Sequence, residues 1–209
     1  MRRLPSGLYA ITPDWADTDR LLTACRAALA GGAAVIQYRN KLADAGLRRE
    51  QATALLAQCR AAQVPLIIND HLDLALEIDA DGLHLGGDDG DLASARAALG
   101  PDKLLGASCY NRLALAQAAL AAGADHVGFG AAFPSPTKPA AVQASAALFA
   151  EARQALCCPM VAIGGITIAN VVTLVELGVS NIAVISALFA SDDIAQTARA
   201  FARHFSVRL

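Results

Sequence analysis

The sequence predicts a single-domain α/β protein folded as a (β/α)8 TIM barrel over residues 1–209. The length of 209 residues suits one such barrel. Short strand-like segments alternate with longer Ala- and Leu-rich segments, which is the pattern of consecutive βα units and a parallel sheet. The predicted strands, in order, are Leu8–Thr12, Val35–Arg39, Leu66–Asn69, Gly82–Leu85, Leu105–Ser108, His126–Gly130, Met160–Ile163 and Ile182–Ile185.

Helices are predicted between these strands, and glycines mark where several of them end. A glycine in the left-handed conformation commonly terminates a helix. The predicted helices include Arg20–Ala30, Leu47–Ala62, Asn111–Ala122 and Ala169–Leu177, and the terminating glycines are Gly31, Gly32, Gly123 and Gly178.

Periodicity alone does not distinguish a closed barrel from an open, doubly wound sheet. Two further observations favour closure: no G-x-G-x-x-G fingerprint follows the first strand, and polar residues follow nearly every strand instead of clustering at one switch point. The one long connection without a helical pattern is Ala131–Ala141, where three prolines predict a loop.

Charge and hydropathy limit the function classes. The formal net charge is −2 and the isoelectric point is near 6.0, so we expect neither nucleic acid nor a membrane as a partner. Mean hydropathy is +0.41, but stretches such as Pro159–Ile163 are far shorter than the ~20 apolar residues that span a bilayer. Met1 through Leu8 lack the apolar segment of a secretory signal, which predicts a cytoplasmic protein. The five cysteines contain no Cys-x-x-Cys pair and are expected to be reduced.

A run of polar residues, Gln37-Tyr38-Arg39-Asn40-Lys41, follows the second predicted strand. Alternation along an extended chain places Gln37, Arg39 and Lys41 on one face. Two cations on one face at the carboxyl end of a barrel strand suit a phosphate or a diphosphate. The alternative is a solvated pair of charges at the end of the barrel.

Carboxylates follow the third and fourth strands, as Asn69-Asp70 and as Asp89. Mg²⁺ is usually held by one or two carboxylates together with substrate phosphates and water. Asp70 and Asp89 are therefore predicted to bind Mg²⁺. The alternative for Asp70 is a cap on the helix that follows it.

Hydroxyl, lysine and glycine residues follow the later strands. Ser108 ends the fifth strand, and the loop after the sixth carries Ser135, Pro136, Thr137 and Lys138, which could hold a phosphorylated ligand or form an ordinary surface loop. Gly164-Gly165 follow the seventh strand and Ile185-Ser186 the eighth, which is where barrels commonly bind phosphate.

The order and spacing of these motifs resemble thiamine phosphate synthases over nearly the whole chain. The motifs are Tyr9-Ala10-Ile11-Thr12, Gln37-x-Arg39-x-Lys41, Asn69-Asp70, His84-Leu85-Gly86, Pro134-x-x-Thr137-Lys138, Ala162-Ile163-Gly164-Gly165-Ile166 and Val184-Ile185-Ser186. The resemblance implies an enzyme that joins 4-amino-2-methyl-5-hydroxymethylpyrimidine diphosphate to a thiazole phosphate, in its plain or carboxylated form, and releases pyrophosphate. One departure is Gly87, where the family usually has Gln after His-Leu-Gly.

The resemblance also implies roles for individual residues. Those expected to bind the pyrimidine diphosphate are Gln37, Tyr38, Arg39, Asn40, Lys41, Asn69, Ser108 and Lys138, with Arg39, Lys41, Ser108 and Lys138 as the catalytic set. Those expected to bind the thiazole phosphate are Ser135, Pro136, Thr137, Gly165, Ile185 and Ser186, and the Mg²⁺ ligands are Asp70 and Asp89.

The implied path is dissociative, and we expect no protein nucleophile because the pattern places no base beside Ser108 or Cys109. Two rival functions are a thiazole tautomerase and a non-catalytic phosphate-binding regulator on the same barrel. His84 is read either as a packing residue with a hydrogen bond or as a ligand contact, and Tyr9 either as a stacking residue or as a buried barrel residue. A homo-oligomer stays an open alternative.

Overall fold

Eight parallel strands close into a barrel in which each strand pairs with the next and the last pairs with the first. The structure, a computed structural model, describes residues 3–87, 89–134 and 142–205. The strands are β1 Gly7–Ile11, β2 Val35–Tyr38, β3 Leu66–Asn69, β4 Gly82–Leu85, β5 Leu104–Ser108, β6 His126–Gly130, β7 Met160–Ile163 and β8 Asn181–Val184. The predicted (β/α)8 barrel is confirmed.

Helices follow each strand and cover the outside of the barrel. They are α1 Thr18–Ala30, α2 Ala45–Ala61, α3 Leu72–Glu77, α4 Leu92–Leu99, α5 Leu113–Ala121, α6 Ala146–Ala155, α7 Val171–Glu176, α8 Ser186–Phe189 and α9 Ile194–Ala202. In the described part of the chain, no helix is long and apolar enough to cross a membrane.

Side-chain caps and glycines set the ends of many helices. At five helices the N-cap side chain accepts a hydrogen bond from the backbone N–H three residues on, which satisfies a donor that the helix itself leaves unpaired. These caps are Asp17, Asp44, Asp91, Ser145 and Asp193. Gly32, Gly123 and Gly178 have φ values of 94°, 98° and 90° just after α1, α5 and α7, as the sequence predicts.

The apolar core has two layers. Outward-facing strand residues such as Ile36 and Tyr38 pack under the helices, whereas a smaller cluster that includes Tyr9, Val35 and Ile67 fills the inside of the barrel. The two faces alternate along each strand because successive side chains point to opposite sides. The barrel is therefore a packed scaffold that leaves polar chemistry to its carboxyl-terminal rim.

Candidate active site

The carboxyl ends of the strands bring most of the predicted polar residues to one rim. Strand register aligns Asn69 with His84, His84 with Gly106, and Ser108 with Gly128, so that neighbouring strands end within two residues of each other. The predicted site residues that lie at the strand ends within the described part are Arg39, Lys41, Asn69, Asp70, Asp89, Ser108, Gly165, Ile185 and Ser186, and Gln37 lies just below them. Ser135, Pro136, Thr137 and Lys138 lie outside the described residues, so their predicted roles stay predictions.

Asp14, which the sequence reasoning missed, organises the end of β2. Its two carboxylate oxygens accept hydrogen bonds from Nη1 of Arg39 at 3.1 and 3.0 Å, and Oδ1 also accepts from the backbone N–H of Lys41 at 2.7 Å. The Thr12 hydroxyl donates to the carbonyl of Arg39 and accepts from its N–H, both at 2.8 Å. The loop after β1 thus fixes both the backbone and the guanidinium at the end of β2. Asp14 lies two residues beyond the Thr12 of the first motif, which is the one signal that could have pointed to it.

The side chains of Tyr38 and Asn40 turn away from the rim, toward α2 and the loop after β2, and the expectation that these two residues bind the pyrimidine diphosphate stays a prediction. The Tyr38 hydroxyl donates to Oε1 of Gln51 on α2 at 2.9 Å. The Asn40 side chain donates to the same oxygen at 3.1 Å and accepts from the N–H groups of Leu42 and Ala43 at 3.2 and 3.1 Å. Both side chains are buried. They shape the loop after β2, because they alternate with the inward-facing residues.

Asp70 and Asp89 form a carboxylate pair beside Lys41. Nζ of Lys41 lies 3.3 Å from Oδ2 of Asp70, whose side chain is 16% exposed. Asp89 accepts a hydrogen bond from the N–H of Gly86 at 3.0 Å. Burial and, next, the neighbouring Asp89 raise the pKa of Asp70, while Lys41 acts in the opposite direction. The pair therefore carries negative charge that one lysine does not fully balance.

The helix-capping alternative for Asp70 is wrong. The N-cap of α3 is His71, and no side chain caps that helix. Asp70 instead has a left-handed backbone, with φ of 66°, and its N–H donates to the carbonyl of His84 at 2.9 Å. That unusual conformation, which Asp tolerates better than most residues, turns the carboxylate toward Lys41 and Asp89.

His84 lies beside Ser108, with Nε2 2.9 Å from the serine Oγ. Burial lowers the pKa of His84 to about 4. The hydrogen-bonded reading of His84 is therefore the one that its contacts favour. A base does stand beside Ser108, so the premise that none does is wrong, and what limits this histidine as a base is its low pKa.

Tyr9 and Gln37 lie deeper in the barrel, directly below the rim. Tyr9 is 1% exposed, and its hydroxyl accepts a hydrogen bond from Nε2 of Gln37 at 2.9 Å. Burial raises the pKa of Tyr9 well above its usual value. These contacts favour the buried-barrel reading of Tyr9, and they hold the Gln37 amide in place.

Gly164 and Gly165 let the loop after β6 pack against the end of β7. Their φ values are 98° and 65°. A Cβ on Gly165 would lie 2.5 Å from the carbonyl oxygen of Phe133 and 2.6 Å from that of Pro134. The N–H of Phe133 donates to the carbonyl of Gly164 at 3.0 Å. The neighbouring backbone alone therefore requires glycine at position 165.

Ile185 and Ser186 lie at the junction of β8 and the short helix α8. The Ile185 carbonyl accepts hydrogen bonds from the N–H groups of Leu188 and Phe189 at 3.1 and 2.9 Å. Ser186 is the exposed first residue of α8. Within the described residues, no group of three or more His, Cys, Asp or Glu side chains is placed to hold a metal ion.

Comparison with known proteins agrees with this arrangement. Residues 8–188 match the family described as thiamine monophosphate synthase. The chain is 58% identical to thiamine-phosphate synthase of Methylobacillus flagellatus, over 96% of this chain and 95% of that protein, and 55% identical to that of Bordetella pertussis, over 98% and 97%. The fold matches a thiamine phosphate pyrophosphorylase from Pyrococcus furiosus with a TM-score of 0.85, at 32% identity and over 95% of each chain. The chain therefore belongs to the thiamine monophosphate synthase family.

Proposed function

We propose that this chain catalyses the synthesis of thiamine phosphate. The substrates are 4-amino-2-methyl-5-hydroxymethylpyrimidine diphosphate and a thiazole phosphate, and the second product is pyrophosphate. The observation that carries the proposal is the cluster at the ends of β2, β3 and β4, where Lys41 lies next to the Asp70–Asp89 pair and Arg39, two residues earlier, is held by Asp14. The cationic side chains suit a diphosphate. The carboxylate pair, whose negative charge Lys41 does not fully neutralise, suits a divalent metal ion that binds with the diphosphate.

The donor set of the carboxylate pair fits Mg²⁺, since it offers hard oxygen ligands from one or two carboxylates and leaves the rest to phosphate and water. Asp70 and Asp89 would hold the ion. When bound, it would supply positive charge that stabilises the departing diphosphate. The pKa of Asp70, which is raised by burial and by Asp89, supports the need for a cation at this point.

The residues at the end of β2 stabilise the leaving group. Arg39 and Lys41 neutralise charge that develops on the diphosphate, and Lys138 is proposed to join them. Gln37, held by Tyr9, and Asn69 orient the pyrimidine. Most of the remaining rate acceleration comes from holding both substrates over one rim, because the reacting atoms are then already oriented.

No protein nucleophile is proposed. Cys109 is buried, and burial raises its pKa to about 12, which leaves the thiolate scarce at neutral pH. Ser108 has His84 as a neighbour, but a histidine with a pKa near 4 is a weak base for activating a hydroxyl. In the proposed path the C–O bond to the diphosphate therefore breaks first and the diphosphate leaves with its electron pair, after which the thiazole nitrogen attacks the exocyclic methylene carbon of the pyrimidine cation. A substrate adduct trapped on either residue would overturn this path.

The thiazole phosphate is proposed to bind across the ends of β6, β7 and β8. Gly165, Ile185 and Ser186 lie there, and Ser135, Pro136 and Thr137 are proposed to complete the site. Location in the cytoplasm and the oligomeric state stay predictions.

The rival functions are tested by one experiment. Purified protein is mixed with both substrates, with and without Mg²⁺, and thiamine phosphate and pyrophosphate are measured. The proposal expects both products in equal amounts and only with the metal. Binding of a phosphorylated ligand without product and without need of metal would favour the regulator, and isomerisation of the thiazole alone would favour the tautomerase. The relatives named as synthases at more than half identity support the synthase.

Gly165→Val is expected to weaken thiazole phosphate binding and also to lower stability. A left-handed backbone costs a non-glycine residue about 1–2 kcal/mol, and the new side chain would displace the backbone of Phe133 and Pro134. Calorimetric titration with the thiazole phosphate and urea unfolding measure the two effects. Gly100→Val is the control, because Gly100 also has a positive φ, of 73°, but a Cβ at that position would meet no atom within 4 Å. It should lose stability and keep the affinity, and equal affinity in both variants would contradict the assignment of Gly165.

Asp14→Ala is expected to lower kcat/KM for the pyrimidine diphosphate by about 10- to 100-fold, because misplacement of a charged group by about 1 Å has effects of up to this size. The substitution removes the acceptor for both the Arg39 side chain and the Lys41 N–H. Steady-state kinetics measure the change. Asp19→Ala, in the exposed first turn of α1, is the matched control and should match the unmodified enzyme. Equal kcat/KM in the two variants would show that Asp14 does not position Arg39.

A further inference from the structure

Two histidines face each other inside the barrel, and one of them, His84, also accepts a hydrogen bond from the backbone of Asp70. His84 is on β4 and His126 on β6, and their ring centroids are 5.9 Å apart. Strand β5 runs between β4 and β6, and its Gly106 is aligned with both histidines in the strand register. His126 is fully buried.

Gly106 shows how the two rings face each other. A Cβ at this position would lie 2.2 Å from Nε2 of His126 and 2.5 Å from Nδ1 of His84. The backbone of Gly106 is not in the left-handed region, so conformational freedom does not explain the glycine. It is the two imidazole nitrogens that occupy the space where a side chain would be.

These nitrogens are buried without a partner in the described residues. Nδ1 of His84 and both ring nitrogens of His126 make no hydrogen bond there. A buried polar atom normally finds a partner, in the protein or in an ordered water. Burial lowers the pKa of His126 to about 3, so its ring is neutral near pH 7 and carries one donor nitrogen and one acceptor nitrogen.

We propose that His126 is a positioning residue that acts through His84 on Ser108. Nε2–H of His126 donates to Nδ1 of His84 through one buried water, since the two nitrogens make no direct hydrogen bond. His84 then carries its proton on Nε2 and donates it to Oγ of Ser108, 2.9 Å away. The Ser108 hydroxyl keeps its own hydrogen free to donate at the rim.

The direction of the hydrogen bonds from His126 through His84 to Ser108 follows from the chemistry of the ligand. Phosphate oxygens only accept hydrogen bonds, so a hydroxyl that serves them must donate. With the opposite order, Ser108 would donate to His84 and would turn its lone pairs toward the anion. The inference rests on the proposed function in this one respect, that the ligand beside Ser108 is an anion.

The His84 tautomer tests the proposed hydrogen bonds without a measurement of enzyme activity. In protein labelled with ¹⁵N at its four histidines, the imidazole shifts distinguish the Nε2–H from the Nδ1–H form, and His84 is assigned by substitution. We expect the Nε2–H form in the unmodified protein. We expect a mixture of the two forms in His126→Phe, and a return to Nε2–H in His126→Gln, whose amide N–H can replace the lost donor. His204→Phe, remote from the barrel interior, should leave the His84 signals unchanged.

Binding of inorganic pyrophosphate supplies the second readout. His126→Phe should weaken it about ten-fold, which is the size of one charge-assisted hydrogen bond. The same substitution should have no further effect in a Ser108→Ala background, because His84 then has no serine hydroxyl to orient. A His84 tautomer that is insensitive to both His126 variants, or equal losses with and without Ser108, would overturn the inference. The expected tautomers in a protein that forms no thiamine phosphate would contradict the proposed function and leave the histidine chain standing.

Discussion

Asp70→Asn will lower the rate of thiamine phosphate formation by about 100-fold or more and leave the barrel folded. Loss of one carboxylate from the pair weakens the site proposed for Mg²⁺, and a metal ion contributes several kcal/mol to stabilising charge in such a transition state. A hundred-fold change corresponds to about 2.7 kcal/mol. Asn keeps the size of Asp and tolerates the φ of 66° that this position adopts. Initial rates over a range of Mg²⁺ concentrations measure both the loss and any shift in metal requirement.

Ala is a poorer choice at this position, because a left-handed backbone would add strain of about 1–2 kcal/mol that has nothing to do with the metal. Asp89→Asn, on the other half of the pair, is expected to act in the same direction. Asp79→Asn is the matched control. Asp79 also has a left-handed backbone, with φ of 58°, and forms ion pairs with Arg60 and Lys103, but it precedes β4 at the opposite end of the barrel. Normal rates in both Asp70→Asn and Asp89→Asn would remove the metal role of the pair.

The protein is expected to lose stability steeply in mild acid, before most carboxylates titrate. Burial lowers the pKa of His84 to about 4 and that of His126 to about 3, against about 6.5 in an unfolded chain. Below about pH 6.5 the unfolded chain takes up protons that the folded protein does not, so the free energy of unfolding falls as the pH falls toward the folded-state pKa values. Each histidine contributes a slope of up to about 1.4 kcal/mol per pH unit, and the two together about 2.7.

Urea unfolding between pH 7.5 and 4.5 measures this slope. His126→Phe should remove about half of it, because the phenyl ring cannot take up a proton in either state. His204→Phe should leave it unchanged. A free energy of unfolding that stays constant from pH 6.5 to 5 would contradict the lowered pKa values. It would show that the two buried rings bind protons in the folded protein as readily as in the unfolded chain.

The strands could be predicted closely from the sequence because each is a short buried run with a sharp boundary. The segments Leu66–Asn69, Gly82–Leu85, His126–Gly130 and Met160–Ile163 agree with the structure at both ends. Elsewhere the difference is about one residue, as at β8, which runs from Asn181 to Val184. A parallel sheet covered on both faces produces such runs, and the following glycines and polar residues mark where they stop.

The site could be predicted only where position along a strand determines it. The rule of alternation places Gln37, Arg39 and Lys41 on one face, and the same rule turns the side chains of Tyr38 and Asn40 to the other face, where the structure has them. The contacts of Arg39 with Asp14 and of Ser108 with His84 join residues on different strands and loops, more than 20 positions apart. Such pairings depend on the barrel's closure and on side-chain rotamers, which leave no periodic trace in the sequence.

Closure of β8 against β1 also bears on how the protein is made. In the ring, β1 lies between β2, which carries the diphosphate side of the proposed site, and β8, which leads into Ser186. A nascent chain that has left the ribosome only as far as β7 already holds Arg39, Lys41 and Asp70 but leaves the edges of β1 and β7 unpaired. Unpaired edges of apolar strands invite association with other chains. Synthesis of β8 therefore pairs both free edges and, in the same step, completes the rim that is proposed to bind the two substrates.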